Sequence, residues 1–289
     1  MEENMKTIKT LGVIGGDMRQ LYCAASALED GYAVILSGFE KYGKPSGINN
    51  TDIDNALSNS DAIILPLPVS KNGTDIFAPY SEKPINTKAL LSSIGREKPV
   101  FCGLEGKAPC EYFRDLRCYF YGRREDFAAA NAVPTAEGAI ELAMRVTDFT
   151  ICGCRCLVAG YGRIGRVLSS FLKGLGADVT VSARKPGDLE FIKAAGMTAI
   201  RTDRLSGKYE LIFNTVPSLV FDRKNLAACA VDSVIIDLAS APGGVDRETA
   251  GRMNIPVYHA LSLPGKVAPE TAGKIIKNAV YNIMEEEGI

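Results

Sequence analysis

The feature that most constrains this chain is a glycine pattern, G-x-G-x-x-G, at residues 160–165. A strand-like run at 155–159 precedes it and a helix-like run at 166–174 follows it. In this setting the first glycine permits a tight turn, the second lets the backbone approach a pyrophosphate, and the third lets the helix pack closely on the strand. The helix N-terminus adds free N–H groups and a positive dipole end. The predicted dinucleotide contacts are Gly160, Gly162, Arg163, Ile164 and Gly165.

The end of the next predicted strand, residues 178–183, indicates which dinucleotide binds. An NAD site usually carries Asp or Glu there to hold the ribose 2′-hydroxyl. Here the strand ends in a hydroxyl, a small residue and two cations, which suit a 2′-phosphate: Ser182, Ala183, Arg184 and Lys185. We therefore expect NADP rather than NAD. A loop after a later strand is expected to touch the ribose and nicotinamide: Asn214, Thr215, Val216 and Pro217.

Composition excludes several classes of function. The chain has 289 residues, enough for two domains, and a formal net charge of −1, which favours neither nucleic acid nor an anionic membrane. We find no apolar run long enough to span a bilayer and no signal-peptide pattern near the N-terminus, so we expect a cytoplasmic protein.

The chain has eight cysteines, which we expect to be reduced thiols. Three of them, Cys152, Cys154 and Cys156, form C-x-C-x-C at the start of the strand before the glycine turn. A period of two predicts that all three share one face of the strand. Buried small residues are favoured over a metal site, and no metal is predicted.

Strand-like and helix-like segments alternate along both halves of the chain, which predicts an α/β fold with parallel sheets covered by helices. We expect two Rossmann-like domains with a cleft between them. A long helix candidate at 126–149, interrupted by Pro134, is read as the connector, and a helix at 269–287 is expected to fold back onto the first domain. The predicted parts are a substrate or partner domain at 1–125, a connecting helix at 126–150, the NADP-binding domain at 151–268 and a C-terminal helix at 269–289.

Two loops of the first domain are candidates for substrate binding. The substrate-binding candidates of the first loop are Gly15, Gly16, Asp17 and Arg19. The two glycines open the first predicted helix, and their amides, together with Arg19, could hold a carboxylate. An ordinary glycine turn with Asp17 as the helix cap explains the same residues equally well. Ser70 lies in a proline-stiffened loop after the third predicted strand and is the other candidate, with a plain surface loop as its alternative.

Two residues of the second domain are candidates for proton transfer. Lys266 lies in a Pro- and Gly-rich loop at 261–269, and a solvated lysine is the alternative. His259, the only histidine, ends the last predicted strand, and a structural role is its alternative. A carboxylate partner and a nearby arginine would make His259 the base of a 2-hydroxyacid-type dehydrogenase.

Several motifs in a fixed order resemble one family. They are Gly-Gly-Asp-Met-Arg at 15–19, Asn-Ala-Val-Pro-Thr-Ala-Glu-Gly at 131–138, the turn at 160–165, Asn-Thr-Val-Pro at 214–217, Asp-Leu-Ala-Ser-Ala-Pro-Gly-Gly at 237–244 and Leu-Pro-Gly-Lys-Val-Ala-Pro-Glu-Thr-Ala-Gly at 263–273. Together they resemble the A subunit of dipicolinate synthase, a dehydrogenase-like family of endospore-forming bacteria, over nearly the whole chain.

The resemblance implies oxidation of a dihydrodipicolinate-type cyclic dicarboxylate to dipicolinate, with NADP as hydride acceptor, in the mother cell during sporulation. It also implies, as partner, the flavoprotein-like B subunit of that synthase. Aromatisation of the ring favours the oxidation, so the protein mainly aligns the donor carbon and excludes water. Arg19, Lys266 and the amides of Gly15 and Gly16 are the candidates for holding the two carboxylates. The proton acceptor is left open among Lys266, His259 and water.

Two other functions fit the same residues. One is a 2-hydroxyacid-type dehydrogenase. The other is a nucleotide-binding scaffold subunit without chemistry of its own. The scarcity of catalytic side chains in the strand-end loops favours this second alternative. The sequence does not fix whether the chain also forms a homo-oligomer.

Overall fold

The structure is a computed structural model that describes residues 8–42, 48–229, 231–240 and 242–289. The chain divides into two compact units: unit 1 contains the chain up to Asn131 together with Ala268–Ile289, and unit 2 is Ala132–Val267. The boundary between them falls inside a long helix, and each unit is built on its own sheet.

The helices and strands alternate along most of the chain. From the start of the described chain they are β1 (Thr10–Ile14), α1 (Met18–Glu29), β2 (Ala33–Ser37), β3 (Asn49–Asn50), α2 (Ile53–Asn59), β4 (Ala62–Ile64), α3 (Thr87–Ser93), β5 (Val100–Cys102), β6 (Cys118–Phe120) and α4 (Glu125–Val146). They continue as β7 (Arg155–Ala159), α5 (Arg163–Gly174), β8 (Asp178–Ala183), α6 (Pro186–Ala194), β9 (Thr198–Arg201), β10 (Leu211–Asn214), α7 (Arg223–Cys229), β11 (Val234–Asp237), α8 (Arg247–Arg252), β12 (Val257–His259), α9 (Leu263–Val267) and α10 (Pro269–Glu287).

Both sheets are parallel and have the same winding. The first runs β3-β2-β1-β4-β5-β6, and the second, taken from its other edge, runs β9-β8-β7-β10-β11-β12. Each is the doubly wound order 3-2-1-4-5-6. The order in which the chain adds strands to the sheet reverses between the first and fourth strands, which are β1 and β4 in the first sheet and β7 and β10 in the second. The predicted α/β class with two Rossmann-like parallel sheets is confirmed. In each sheet the carboxyl ends of the strands meet at one edge, where such folds bind ligands.

The C-terminal helix α10 belongs to unit 1, where it packs on α1. Ile276, Val280 and Ile283 are buried in one cluster with Leu21 and other apolar residues of α1. At Gly273 a side chain would begin 2.5 Å from the backbone carbonyl oxygen of Arg19. The two helices therefore approach closely because this contact position carries no side chain.

The helix α4 corrects one expectation from the sequence. Pro134 lies inside it, and the helix continues through the proline instead of being interrupted there. A proline in a helix interior costs about 3 kcal/mol, because it removes one hydrogen bond and crowds the preceding turn. Burial of Ala136, Ala139, Ile140 and Ala143 in the core of unit 2 offsets that cost.

The cysteine pattern also differs in part from the prediction. Cys154 and Cys156 are buried with their Sγ atoms 3.7 Å apart, but Cys152 is exposed and precedes β7 in a turn, so the three do not share one face. The hydrogen bond with Cys154, and burial, raise the pKa of the Cys156 thiol. Among the described residues no cluster of His, Cys, Asp and Glu could hold a metal ion. In the described ranges no helix is both long and apolar enough to cross a membrane.

Candidate functional site

The glycine turn lies at the carboxyl end of β7, beside β10, where the winding of the second sheet reverses. Gly160 has a φ of +102°, which favours glycine, and its N–H donates to the Ser182 carbonyl at 3.0 Å. A side chain there would begin 2.5 Å from the Thr215 Oγ1 atom, and one at Gly165 would overlap the Gly160 carbonyl oxygen. These two glycines are therefore required by the packing of the turn itself.

Gly162 is different, because no described residue other than its neighbours in the chain lies within 4 Å of the place where its side chain would begin. It is the N-cap of α5 and offers no side chain to bond the first N–H groups of that helix. A helix N-terminus whose first N–H groups have no side-chain cap is suited to binding an anion. Of the other predicted contacts, Arg163 is exposed and Ile164 packs against the core.

At the end of β8 the structure separates the four predicted 2′-phosphate residues into two pairs. Ser182 is fully buried, its hydroxyl accepts a hydrogen bond from Thr202 Oγ1 at 3.2 Å, and Ala183 is also buried. Neither side chain is presented to a ligand, which corrects the role expected for Ser182. Arg184 and Lys185 are exposed just beyond the strand, and no described residue forms a hydrogen bond or ion pair with the Arg184 side chain.

The loop at 214–217 is held by its own polar side chains. Asn214 is buried, and its Nδ2 donates to Asp237 Oδ1 at 2.8 Å and to the Val216 carbonyl at 3.1 Å. Thr215 Oγ1 donates to the Ala159 carbonyl at 2.9 Å. These bonds join the strand-end loops after β7, β10 and β11, so this part of the site presents mainly backbone, together with Val216 and Pro217.

Asp237 is a site residue that the sequence analysis did not single out. It is fully buried, and besides Asn214 it accepts hydrogen bonds from the backbone N–H of Ala239 at 3.2 Å and of Gly244 at 3.3 Å. An acidic residue that ends an apolar strand and precedes a Gly-Gly pair is the signal that could have identified it. Of the loop at 240–244 that it holds, Ala241 lies outside the described residues.

The two candidates for proton transfer have contrasting surroundings. His259 ends β12, half-buried, with Nε2 3.1 Å from the Ala239 carbonyl oxygen. No carboxylate of the described chain contacts it, so the pairing expected for a 2-hydroxyacid-type dehydrogenase is not found there. Lys266 is exposed, and it lies in the short helix α9 and not in a loop, because burial of Leu263 and Pro264 anchors that segment.

The predicted carboxylate site in unit 1 is occupied by the protein's own groups. The N–H of Gly15 donates to the Ser37 carbonyl at 2.9 Å, and that of Gly16 donates to the Phe77 carbonyl at 2.7 Å. Neither amide is therefore free to bind an anion. Asp17 caps α1 and shares a capping box with Gln20. The structure supports the alternative interpretation, an ordinary glycine turn with Asp17 as its cap.

Two more side chains predicted to bind substrate are structural. Arg19 is only 8% exposed, and it forms an ion pair with Asp17, Nε to Oδ1, at 2.8 Å, and donates to the Leu67 carbonyl at 2.7 Å. Ser70 is fully buried, and its hydroxyl donates to the Asp75 carbonyl at 2.6 Å and accepts from the Gly73 N–H at 3.0 Å. These bonds brace the loops in which the two residues lie.

Arg166, on the first turns of α5, is a second site residue that the sequence analysis did not identify. Its Nε donates to the Tyr161 carbonyl at 3.2 Å, and its guanidinium lies 5.0 Å from the centre of the Tyr161 ring. Its Nη2 is 3.2 Å from Asp188 Oδ1 on α6. Arg166 thus links the glycine turn to the helix that follows Arg184 and Lys185.

Known proteins are similar to the whole chain. Residues 10–121 match the family model of the dipicolinate synthase A subunit N-terminal domain. The A subunit of dipicolinate synthase from Bacillus subtilis (strain 168) is 31% identical, over 98% of both chains. The crystal structure of the A subunit of dipicolinate synthase from Bacillus halodurans is 30% identical, with a TM-score of 0.87 over 96% of this chain and 97% of that one. A transhydrogenase from Sinorhizobium meliloti, 14% identical with a TM-score of 0.71 over 96% of this chain and 94% of that one, shares the fold.

Proposed function

The chain belongs to the family formed by the A subunit of dipicolinate synthase, and on that premise we propose that it is an NADP-dependent dehydrogenase. Its proposed reaction is oxidation of a dihydrodipicolinate-type cyclic dicarboxylate to dipicolinate. We propose that it acts in the cytoplasm of the sporulating mother cell, in a complex with the flavoprotein-like B subunit. The observation that carries the proposal is Gly162, which faces open space at the N-terminus of α5.

The residues of unit 2 fit the parts of NADP in turn. The pyrophosphate would bind the N–H groups that begin α5, and Gly162 leaves it room. The 2′-phosphate would bind Arg184 and Lys185, which are exposed at the end of β8. The nicotinamide end would lie beside the loop at 214–217. When bound, the nicotinamide supplies a hydride acceptor, which is the chemistry that no protein side chain offers.

The chain's own part in the reaction is to orient the ring and to accept one proton. The Ala239 carbonyl can only accept, so its 3.1 Å contact with His259 requires the proton of the neutral ring on Nε2 and leaves Nδ1 as the basic atom. We propose His259 Nδ1 and Lys266 Nζ as the two candidate acceptors. Substituting each separately, His259→Gln and Lys266→Met, and following NADPH absorbance distinguishes them, because only the true acceptor lowers turnover without weakening NADP binding.

The test of the cofactor assignment is calorimetric titration of the purified chain with NADP and with NAD, each repeated in the presence of dipicolinate. We expect preferential NADP binding that dipicolinate strengthens. Arg184→Ala should lower affinity for NADP about tenfold or more and leave NAD nearly unchanged, since only NADP loses a charge-assisted hydrogen bond. Equal losses for both cofactors would refute the 2′-phosphate assignment. Cofactor binding without turnover, even in the presence of the B subunit, would indicate the scaffold alternative.

A further inference from the structure

We propose that Arg166 sets the preference for NADP over NAD by neutralising Asp188. This inference rests on the proposed NADP site and concerns two residues that contact neither the pyrophosphate nor the 2′-phosphate in that proposal. Arg166 would act as a positioning residue that balances the charge of Asp188. Without this ion pair, the Asp188 carboxylate would repel the 2′-phosphate.

The position of Asp188 is what makes its charge matter. Lys185 is the N-cap of α6, and Asp188 follows three residues later in the first turn of that helix. Its carboxylate is therefore close in sequence to both proposed 2′-phosphate ligands, Arg184 and Lys185. An acidic side chain near the end of this strand is the usual mark of an NAD site, because it repels a 2′-phosphate and suits a 2′-hydroxyl.

Arg166 removes that repulsion. Its Nη2 lies 3.2 Å from Asp188 Oδ1, and the Asp188 side chain is only 23% exposed while that of Arg166 is 57% exposed. The carboxylate is paired from the side of α5, which leaves Arg184 and Lys185 to the ligand. A pair this exposed contributes little to stability, so variants of either residue are expected to fold.

The expected size of the effect follows from Coulomb's law. At a separation on the order of 8 Å in a watery environment, one unpaired carboxylate weakens binding of a doubly charged phosphate about three- to fivefold at low salt. NAD has no 2′-phosphate and should lose nothing by this route. Arg166 also supports Tyr161 in the glycine turn. Loss of that support would affect both cofactors equally, so the ratio of their dissociation constants isolates the action through Asp188.

The experiment measures dissociation constants for NADP and NAD by calorimetry at low salt. The variants are Arg166→Met, Asp188→Asn and the double variant. The matched control is Arg155→Met. This substitution also removes an arginine from an ion pair, in which Arg155 Nε lies 3.3 Å from Glu210 Oε2. That pair lies at the amino ends of β7 and β10, the edge of the sheet opposite to the site.

We expect Arg166→Met to lower the preference for NADP about three- to fivefold, and the double variant to return it to within about twofold of the original. Asp188→Asn alone should keep or increase the preference, and Arg155→Met should leave it unchanged. An unchanged ratio in Arg166→Met would overturn the inference, as would a lowered ratio that Asp188→Asn does not restore.

Failure of the underlying cofactor assignment has a different signature. In that case the unaltered chain shows no preference for NADP, and Arg184→Ala changes affinity for both cofactors alike. If the unaltered chain prefers NADP and Arg184→Ala abolishes the preference, the cofactor assignment stands, and the Arg166 and Asp188 variants then decide the inference by themselves.

Discussion

Replacing Gly162 by valine should separate cofactor binding from folding. The glycine has an ordinary extended conformation, with φ −82° and ψ −162°, and among the described residues none but its chain neighbours lies within 4 Å of the added Cβ. Valine would lose the advantage of glycine as an N-cap, worth about 1 kcal/mol, but would also restrict the unfolded chain by a similar amount, so the free energy of unfolding should change by less than about 1 kcal/mol. The same side chain would fill the space proposed for the pyrophosphate.

The binding loss should be large and equal for NADP and NAD. Displacing the pyrophosphate from the start of α5 would break about two charge-assisted hydrogen bonds, each worth about 1.5–3 kcal/mol. That sum corresponds to a loss of roughly 100-fold or more in affinity. Calorimetric titration gives the affinity and thermal unfolding gives the stability. Gly174→Val is the matched control, since Gly174 ends the same helix and also has open space around its side-chain position. Retained affinity in a folded Gly162→Val protein would refute the assignment of the turn.

Three further predictions concern stability. Arg124 forms an ion pair with Asp126, Nε to Oδ1, at 2.9 Å, and this hydrogen-bonded contact lowers the pKa of Asp126 to about 2. The stabilisation is therefore present above pH 4 and lost as the pH falls towards 2. In acid-unfolding curves, Asp126→Asn should cost about 1 kcal/mol at pH 7, after allowance for partial exposure, and nothing near pH 2. Gly273→Val should lower the melting temperature through a loss of about 1–3 kcal/mol in the α1–α10 contact, whereas an unchanged melting temperature would mean that the helices can move apart. Asp237→Asn should destabilise the strand-end loops by about 1–3 kcal/mol, measured by thermal unfolding, because an amide cannot accept from all three donors. Calorimetric titration of the same variant should show that its affinities for NADP and NAD fall equally.

Much of the fold was predictable because buried parallel strands appear in the sequence as short apolar runs bounded by turn residues. The bounds of β7 and β8 agree with the predicted ones to the residue. The short helices α2, α7, α8 and α9 were missed because five to seven residues show too few turns for a helical period.

The substrate side of the site was less predictable because it depends on contacts distant in sequence. Gly15 and Gly16 have the residue types of an anion site, but the carbonyls that occupy their N–H groups come from Ser37 and Phe77. Likewise, the ion pair between Arg166 and Asp188 joins two helices that only the sheet brings together. Residue type predicts which groups can bind, whereas the fold decides which of them are already bonded.

This distinction predicts how many dinucleotides the chain binds. Both sheets have the same strand order, and in both a glycine-containing turn follows the first strand and leads into a helix. In unit 1 the Asp17 carboxylate already accepts from the first N–H groups of the helix, and the turn amides are bonded to carbonyls. In unit 2 the cap is Gly162, with open space in front of it. Calorimetry should therefore give one NADP per chain, abolished by Gly162→Val. A second equivalent of NADP that survives this substitution would show that a dinucleotide can displace the acceptors that occupy the N–H groups of unit 1, contrary to this reasoning.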